Sequence, residues 1–435
     1  MKKVLAAVLS VMLLLGMFGV GALAETDDKL TVWSYGTPEY MRIYFQRYLD
    51  REETGLTAEM ASYSGEEEVR QQIMMTVSAG AMEDLPTAIS TFPVSMQVLV
   101  EAGLLADITD YVTPYIDEFV EGAFEQATYN GRIYGMPYTL QPKMLFYNQE
   151  IFDEYDIDPA RMSTFAGYIE VGRELLEKSD GKVKLSYVDP GSYTWRYWFR
   201  RGLMPQANAR IWDEDGNVVF DTDEGTRLAM ETFNTLLSEG MLLNVGVFSA
   251  ENYEAARQGE IATYYIESFW DTYLRGNLQD MSGKWRCMPA PVFDEVGTAG
   301  AQVIAMYCPI NTGDEEKTKL FVDMLLDFNL NAEERNQWTE DMLAMDYATE
   351  HPITKSLQAD PYWSEPSEYY GGTSYREMVT KSFENPSQNL AVNLNDAEAD
   401  TIISSEMEKW VAGAQDMETT IQNIGNELRT RLNLQ

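Results

Sequence analysis

The chain has 435 residues, 45% of them hydrophobic, with 32 Lys plus Arg against 70 Asp plus Glu and a formal net charge of -38. A surface that acidic repels phosphate backbones and anionic membranes, so nucleic acid is not expected as a partner, and strongly anionic ligands are disfavoured. The single histidine, His351, leaves catalytic Ser-His-Asp or Cys-His arrangements one candidate without a nucleophile signature beside it, and a histidine-built metal site none.

Lys2 and Lys3 precede an uncharged apolar run over 4–20, and Ala22-Leu23-Ala24 gives a small-x-small pattern before Glu25. This reads as an export signal over 1–24, with a retained membrane anchor as the competing reading. No cysteine follows the run, so lipid tethering is not expected. Alternation predicts a strand over Lys29–Tyr35, then a helix carrying Tyr40, Ile43, Tyr44 and Tyr48, then a strand over Thr57–Tyr63. Ser64 and Glu67 form a predicted capping box ahead of Val69, Ile73 and Val77, with Gly80 as the stop. Strand, helix, strand implies a parallel sheet covered by helices, and 84–89 leads into a third strand.

Asn130-Gly131 predicts a tight turn, Gly135 and Pro137 an extended chain, and Asn148 a helix cap after the apolar run 144–147. At 212–222 the series Asp213-Glu214-Asp215-Gly216-Asn217 lacks the third alternating acid and closing Glu of a calcium loop, so a hairpin turn is preferred. Met230, Phe233 and Leu237 give a helix stopped by Gly240. Segments 285–292 and 302–309 are predicted as two strands flanking a turn at 295–300. In such a hairpin Cys287 and Cys308, the only two cysteines, would face each other, giving either a disulfide or two buried thiols. Phe321, Met324, Leu325 and Phe328 form the apolar face of a further helix. Asp416 caps a last one that buries Ile421, Ile424, Leu428 and Leu432.

Four segments, in this order, carry a resemblance. The first is Gly103-Leu104-Leu105-Ala106-Asp107-Ile108-Thr109; the second is 129–152, beginning Tyr-Asn-Gly-Arg-Ile-Tyr-Gly-Met-Pro-Tyr. The third is 256–262 with Ser268 and Trp270 behind it, and the fourth is 407–413. Together they resemble the extracellular solute-binding proteins of bacterial ABC importers, of the sugar-binding, maltodextrin-binding-protein-like type. The resemblance implies an α/β, two-lobed periplasmic-binding-protein fold (type II), each lobe a mainly parallel sheet flanked by helices, with the ligand cleft at the hinge. It implies an N-terminal lobe from 25–137 and 289–332 and a C-terminal lobe from 138–288 and 333–435. The implied function is capture of a carbohydrate, expected to be an oligosaccharide, by lobe closure, and its delivery to the membrane permease subunits of the importer. The protein is expected to be a periplasmic or extracellular monomer, without cofactor, metal or catalytic activity. A secreted glycoside hydrolase and a surface carbohydrate-adhesion protein are the alternatives.

A sugar presents flat C–H faces rimmed by hydroxyls, so its site needs aromatic faces with hydrogen-bonding groups at the edges. In a two-lobed sheet protein that site lies beyond the carboxyl ends of the strands. This selects Trp33, Ser34, Tyr35, Tyr63, Ser64, Glu66, Thr91 and Phe92 from the first lobe. From the crossover and second lobe it selects Tyr138, Gln141, Trp195, Trp198, Ser268, Trp270 and Arg286, with Trp363 at the edge. Tyr264 and Tyr265 alternate on one strand, so one can face the cleft. Arg196, Arg200 and Arg201 either grip a carboxylate on an acidic sugar or pair with the protein's own acids. Trp212 and Trp410 read as structural.

Overall fold

Strand β1, Lys29–Tyr35, buries Leu30, Val32 and Ser34 and half-exposes the residues between them, so it sits in a sheet with one face on a core. The computed structural model that shows this describes residues 28–36, 38–298, 302–345, 350–384, 387, 390 and 393–434; the expected export signal lies outside them. β1 pairs in parallel with β2, Thr57–Tyr63, and with β3, Ala88–Thr91. Helices Glu39–Arg51 and Glu66–Ser78 make the crossovers. The second starts one residue later than the predicted box requires. Gly65 is its N-cap, and Ser64 N and Oγ donate to Glu68 Oε2 at 2.8 and 2.7 Å instead of engaging Glu67.

Asn130 and Gly131, at φ 48° and 75°, turn β4, Thr128–Tyr129, into β5, Arg132–Ile133. The chain then enters β6, Met136–Asn148, which organises the molecule. Over 136–142 β6 lies antiparallel to β11, Gln302–Pro309, whose other edge meets β3. Over 143–148 it lies antiparallel to β9, Thr263–Glu267, and to β10, Trp285–Pro289. β7, Ser186–Val188, and β8, Leu242–Asn244, form a parallel pair beside these. The sheets are therefore mixed in detail, because the strands that run between the lobes oppose their neighbours. Asn148 caps helix Gln149–Glu154 through its side chain, as its position before that helix predicts.

The predicted 285–309 hairpin does not form. β10 and β11 lie against different halves of β6, Cys287 opposite Phe146 and Cys308 opposite Ile89, and both are free buried thiols whose ionisation burial pushes up. The two strands are consecutive in sequence but one closes the second lobe and the other reopens the first. Equal-sum pairing holds only where a turn joins neighbouring strands.

Buried side chains fall into two cores. Met136, Tyr138 and Leu140 of β6 join the first, with Val32, Phe45, Tyr307 and Phe321; Met144, Leu145 and Phe146 join the second, with Phe165, Tyr187, Phe233 and Trp285. The predicted boundaries at 288 and 332 both come too early: Ala290 and Phe293 lie in the second core, and Trp338, Met342 and Ile353 in the first. Trp338 is held there by edge contacts with Tyr44 and Phe328 and by donating Nε1 to Tyr40 O at 2.9 Å.

His351 stands where the chain returns toward the second lobe, buried against Trp363 and Phe383, with Nε2 3.1 Å from Thr380 Oγ1. Burial, with Arg335 and Arg376 nearby, lowers its pKa from 6.5 to about 3. Between those values the unfolded chain binds the proton and the folded one does not. The associated stability is complete above pH 6.5 and is lost as pH falls toward 3. In urea titrations at pH 7 and pH 4.5, the wild type is expected to lose about 2 kcal/mol more on acidification than His351→Phe. Equal losses would remove His351 from the acid response.

Candidate functional site

A cleft of about 470 Å³ lies between the two cores. Its first-lobe wall comes from the first turns of helices Glu66–Ser78 and Pro93–Glu101, which follow β2 and β3: Glu66, Glu67, Arg70, Phe92 and Ser95. The second-lobe wall is a π-helical segment, Thr194–Leu203, bearing Trp195, Arg196, Arg200 and Arg201, together with helix Asp396–Val411. The π-helical segment rests directly on β6 and β9. Lys143 Nζ donates to Tyr197 O at 2.6 Å, and a Cβ at Gly202 would lie 2.7 Å from Tyr265 Oη and 3.1 Å from Lys143 Cε. Only glycine permits that approach.

Within the wall, Arg200 is held by two acids, Nη2 3.0 Å from Asp396 Oδ2 and Nη1 3.0 Å from Asp400 Oδ1. Asp400 also accepts from Trp195 Nε1 at 2.7 Å, and Asp396 from Trp212 Nε1 at 2.6 Å. Burial raises the Asp400 carboxyl above its ordinary range, against the pull of Arg200. Arg201 reaches across the cleft, its guanidinium 4.6 Å from the Phe92 ring and 5.8 Å from the Tyr197 ring. Arg196 lies 5.8 Å from the Tyr193 ring. Among the described residues neither forms an ion pair. Glu66 is raised by burial, against Ser95, Arg70, Arg196 and Arg201, and its Oε2 is buried without a hydrogen-bond partner.

Of the residues selected from sequence, Glu66, Phe92 and Trp195 line this cleft, although Trp195 is only 2% exposed and its ring packs against Phe199 and Phe220. Tyr35 backs it, its ring 5.4 Å from Phe92, and Trp33 and Tyr63 pair at 5.7 Å at the ends of β1 and β2. Ser34 and Thr91 are buried, Tyr138 packs 4.7 Å from Tyr307, and Gln141 is half-buried opposite Val303. Ser268 is tied into backbone bonds: its N donates to Pro142 O and its O accepts from Tyr375 Oη. Arg286 spends Nη1 on the carbonyls of Gly283 and Trp285.

Three predicted platforms are packing rings. Trp198 lies among Tyr187, Phe233 and Tyr265; Trp270 among Phe248, Tyr253, Tyr264 and Tyr273; Trp363 beneath Arg335 and Arg376, donating Nε1 to Asn336 Oδ1. Tyr264 and Tyr265 are both wholly buried, since β9 has core on both faces. The sequence reading missed Arg70, Ser95 and the polar stripe Asp400, Thr401, Ser404, Ser405 and Glu408. That stripe recurs at helical spacing opposite Ile403, Met407 and Trp410, a legible amphipathic pattern, but nothing local says that its polar side meets a cleft.

The sequence profile of the bacterial extracellular solute-binding proteins matches residues 46–369. The chain belongs to this family. This solute-binding protein is 27% identical over 249 residues to an arabinooligosaccharide-binding protein of Halalkalibacterium halodurans, covering 56% of this chain and about half, 54%, of that one. It is 22% identical over 364 residues to an arabinooligosaccharide-binding protein of Bacillus subtilis, covering 80% of each. Among solved structures, an ABC-transporter-associated binding protein of B. animalis subsp. lactis, in complex with beta-1,6-galactobiose, superposes with a TM-score of 0.74 at 17% identity, over 93% of this chain and 97% of that one. The solute-binding protein thus has the two-lobed type II α/β fold expected from its sequence.

Proposed function

We propose that this solute-binding protein captures a carbohydrate, an oligosaccharide, by closing its lobes over it and hands it to the membrane permease subunits of an ABC importer. The observation that carries the reading is the cleft: the half-buried Phe92 of one lobe faces a wall backed by the buried Trp195 of the other, in a cavity edged by Ser95, Thr401, Ser404 and Ser405. Aromatic surface with hydroxyls at its margin suits a sugar's C–H faces and its rim. The oligosaccharide-binding relatives support the same ligand class. β6, which contributes side chains to both cores, supplies the hinge about which closure shifts open molecules to closed ones.

We assign ligand contact to Glu66, Phe92 and Trp195, with Ser95, Arg196 and Arg201 added. The protein acts as a monomer without cofactor or catalysis, exported through residues 1–24 and working in the periplasm or outside the cell without a lipid-bearing cysteine. Small-angle scattering with a saturating oligosaccharide is expected to show a smaller radius of gyration, with a melting temperature that rises with ligand concentration and the sugar recovered uncut. An unchanged radius would overturn closure. Cleavage of the sugar would favour a glycoside hydrolase.

A further inference from the structure

The cleft lining holds four arginines, Arg70, Arg196, Arg200 and Arg201, and four acids, Glu66, Glu67, Asp400 and Glu408, but the ion pairs are shared unevenly among them. Arg200 is satisfied by Asp396 and Asp400, and Arg70 has Glu67 at 3.6 Å. Arg196 and Arg201 remain; Glu66 feels the charge of both, and Asp400, held by Arg200, feels that of Arg196. Glu408, the fourth acid of the lining, is exposed on helix Asp396–Val411. Two acids therefore serve Arg200, while Arg196 and Arg201 are left without an ion pair among the described residues.

Closure makes guanidinium groups without an ion pair costly. A guanidinium taken out of water needs a counter-charge, and ring faces such as Phe92 and Tyr197 offset only part of the penalty. We propose that the ligand supplies it: the oligosaccharide carries a carboxylate, as a uronic acid residue does, received by Arg201 and Arg196. This rests on the reading of the cleft as an oligosaccharide site. The net charge of -38 opposes an anion from afar, but at physiological salt that field is screened beyond about 8 Å, so the local guanidinium pair decides inside the cleft. Planar guanidinium forks also match a carboxylate with two parallel bonds, which a neutral hydroxyl cannot reproduce.

The test is calorimetric titration of the full exported chain with uronate-bearing oligosaccharides, the same oligosaccharides after reduction of their carboxyl groups to alcohols, and neutral arabino- and galacto-oligosaccharides. The expected result is at least about tenfold tighter binding of a uronate-bearing ligand than of its reduced form, a preference that shrinks with added salt and disappears in Arg201→Gln with Arg196→Gln. Circular dichroism and melting of the double variant separate a lost contact from a lost fold. Equal or tighter binding of neutral sugars, or a uronate preference that survives in a folded double variant, would overturn the inference and leave the carbohydrate reading standing. Binding of neither kind would overturn both.

Discussion

Lys143→Met is expected to destabilise the protein by about 3–5 kcal/mol, far more than the loss of an ordinary surface charge. Lys143 and Glu267 are both wholly buried, with Nζ 3.1 Å from Glu267 Oε2, 2.6 Å from Tyr197 O and 5.0 Å from the centre of the Tyr265 ring. Burial pulls the lysine down to about 8 although Glu267 favours its charged form. The pair is therefore held together against a substantial desolvation cost. Removing the cation leaves a buried carboxylate with no counter-charge; removing both charges does not. Lys143→Met with Glu267→Leu is accordingly expected to recover most of the loss, and urea denaturation of the two single variants and the double measures the coupling. Simple additivity would show that the two charges do not depend on each other. Since Nζ also anchors the Tyr197 carbonyl, the single variant should bind ligand more weakly as well, by loosening the segment that presents Arg201.

Trp270→Ala is the second large effect, a loss of about 3–5 kcal/mol in stability with ligand affinity retained in the folded fraction. The indole is wholly buried, stacked 5.4 Å from Tyr273 and 6.1 Å from Tyr253, and 5.0 Å from Tyr264. Its removal opens a void lined by rings that belong to four different segments and cannot close together on it. Melting and titration on the same sample decide the matter. A loss of affinity at unchanged melting temperature would return Trp270 to the ligand site.

What could be read beforehand was local. β1 and β2 were legible to the residue because alternation stops where the turn residues begin, and Asn148 and Asp416 cap the helices their positions announce. Asn130-Gly131 likewise turns the chain as its left-handed preference requires. The failures concern partners distant in sequence. Nothing in 285–309 distinguishes a hairpin from two strands separated by β6, since the same residues suit both. An indole just after a strand looks alike whether it faces ligand or core. Trp270 is settled by Phe248, Tyr253 and Tyr264, which other segments bring to it. In the same way, the polar face of Asp396–Val411 became cleft only because Phe233 and Trp410 pin that helix against the π-helical segment through Phe199.

The placing of β11 between β3 and β6 also governs when the molecule can finish folding. A growing chain delivers β1, β2, β3 and the first half of β6 early, yet the sheet they belong to stays divided until Gln302–Pro309 arrives. Phe321, Phe328 and Trp338 come later still, and Trp410, Ile424 and Leu428 of the other core are almost the last residues made. Contacts this distant in sequence make for slow folding. Until they form, β3 and β6 hold open edges that can pair with another chain, so the nascent protein is at its most vulnerable to aggregation just before it is complete.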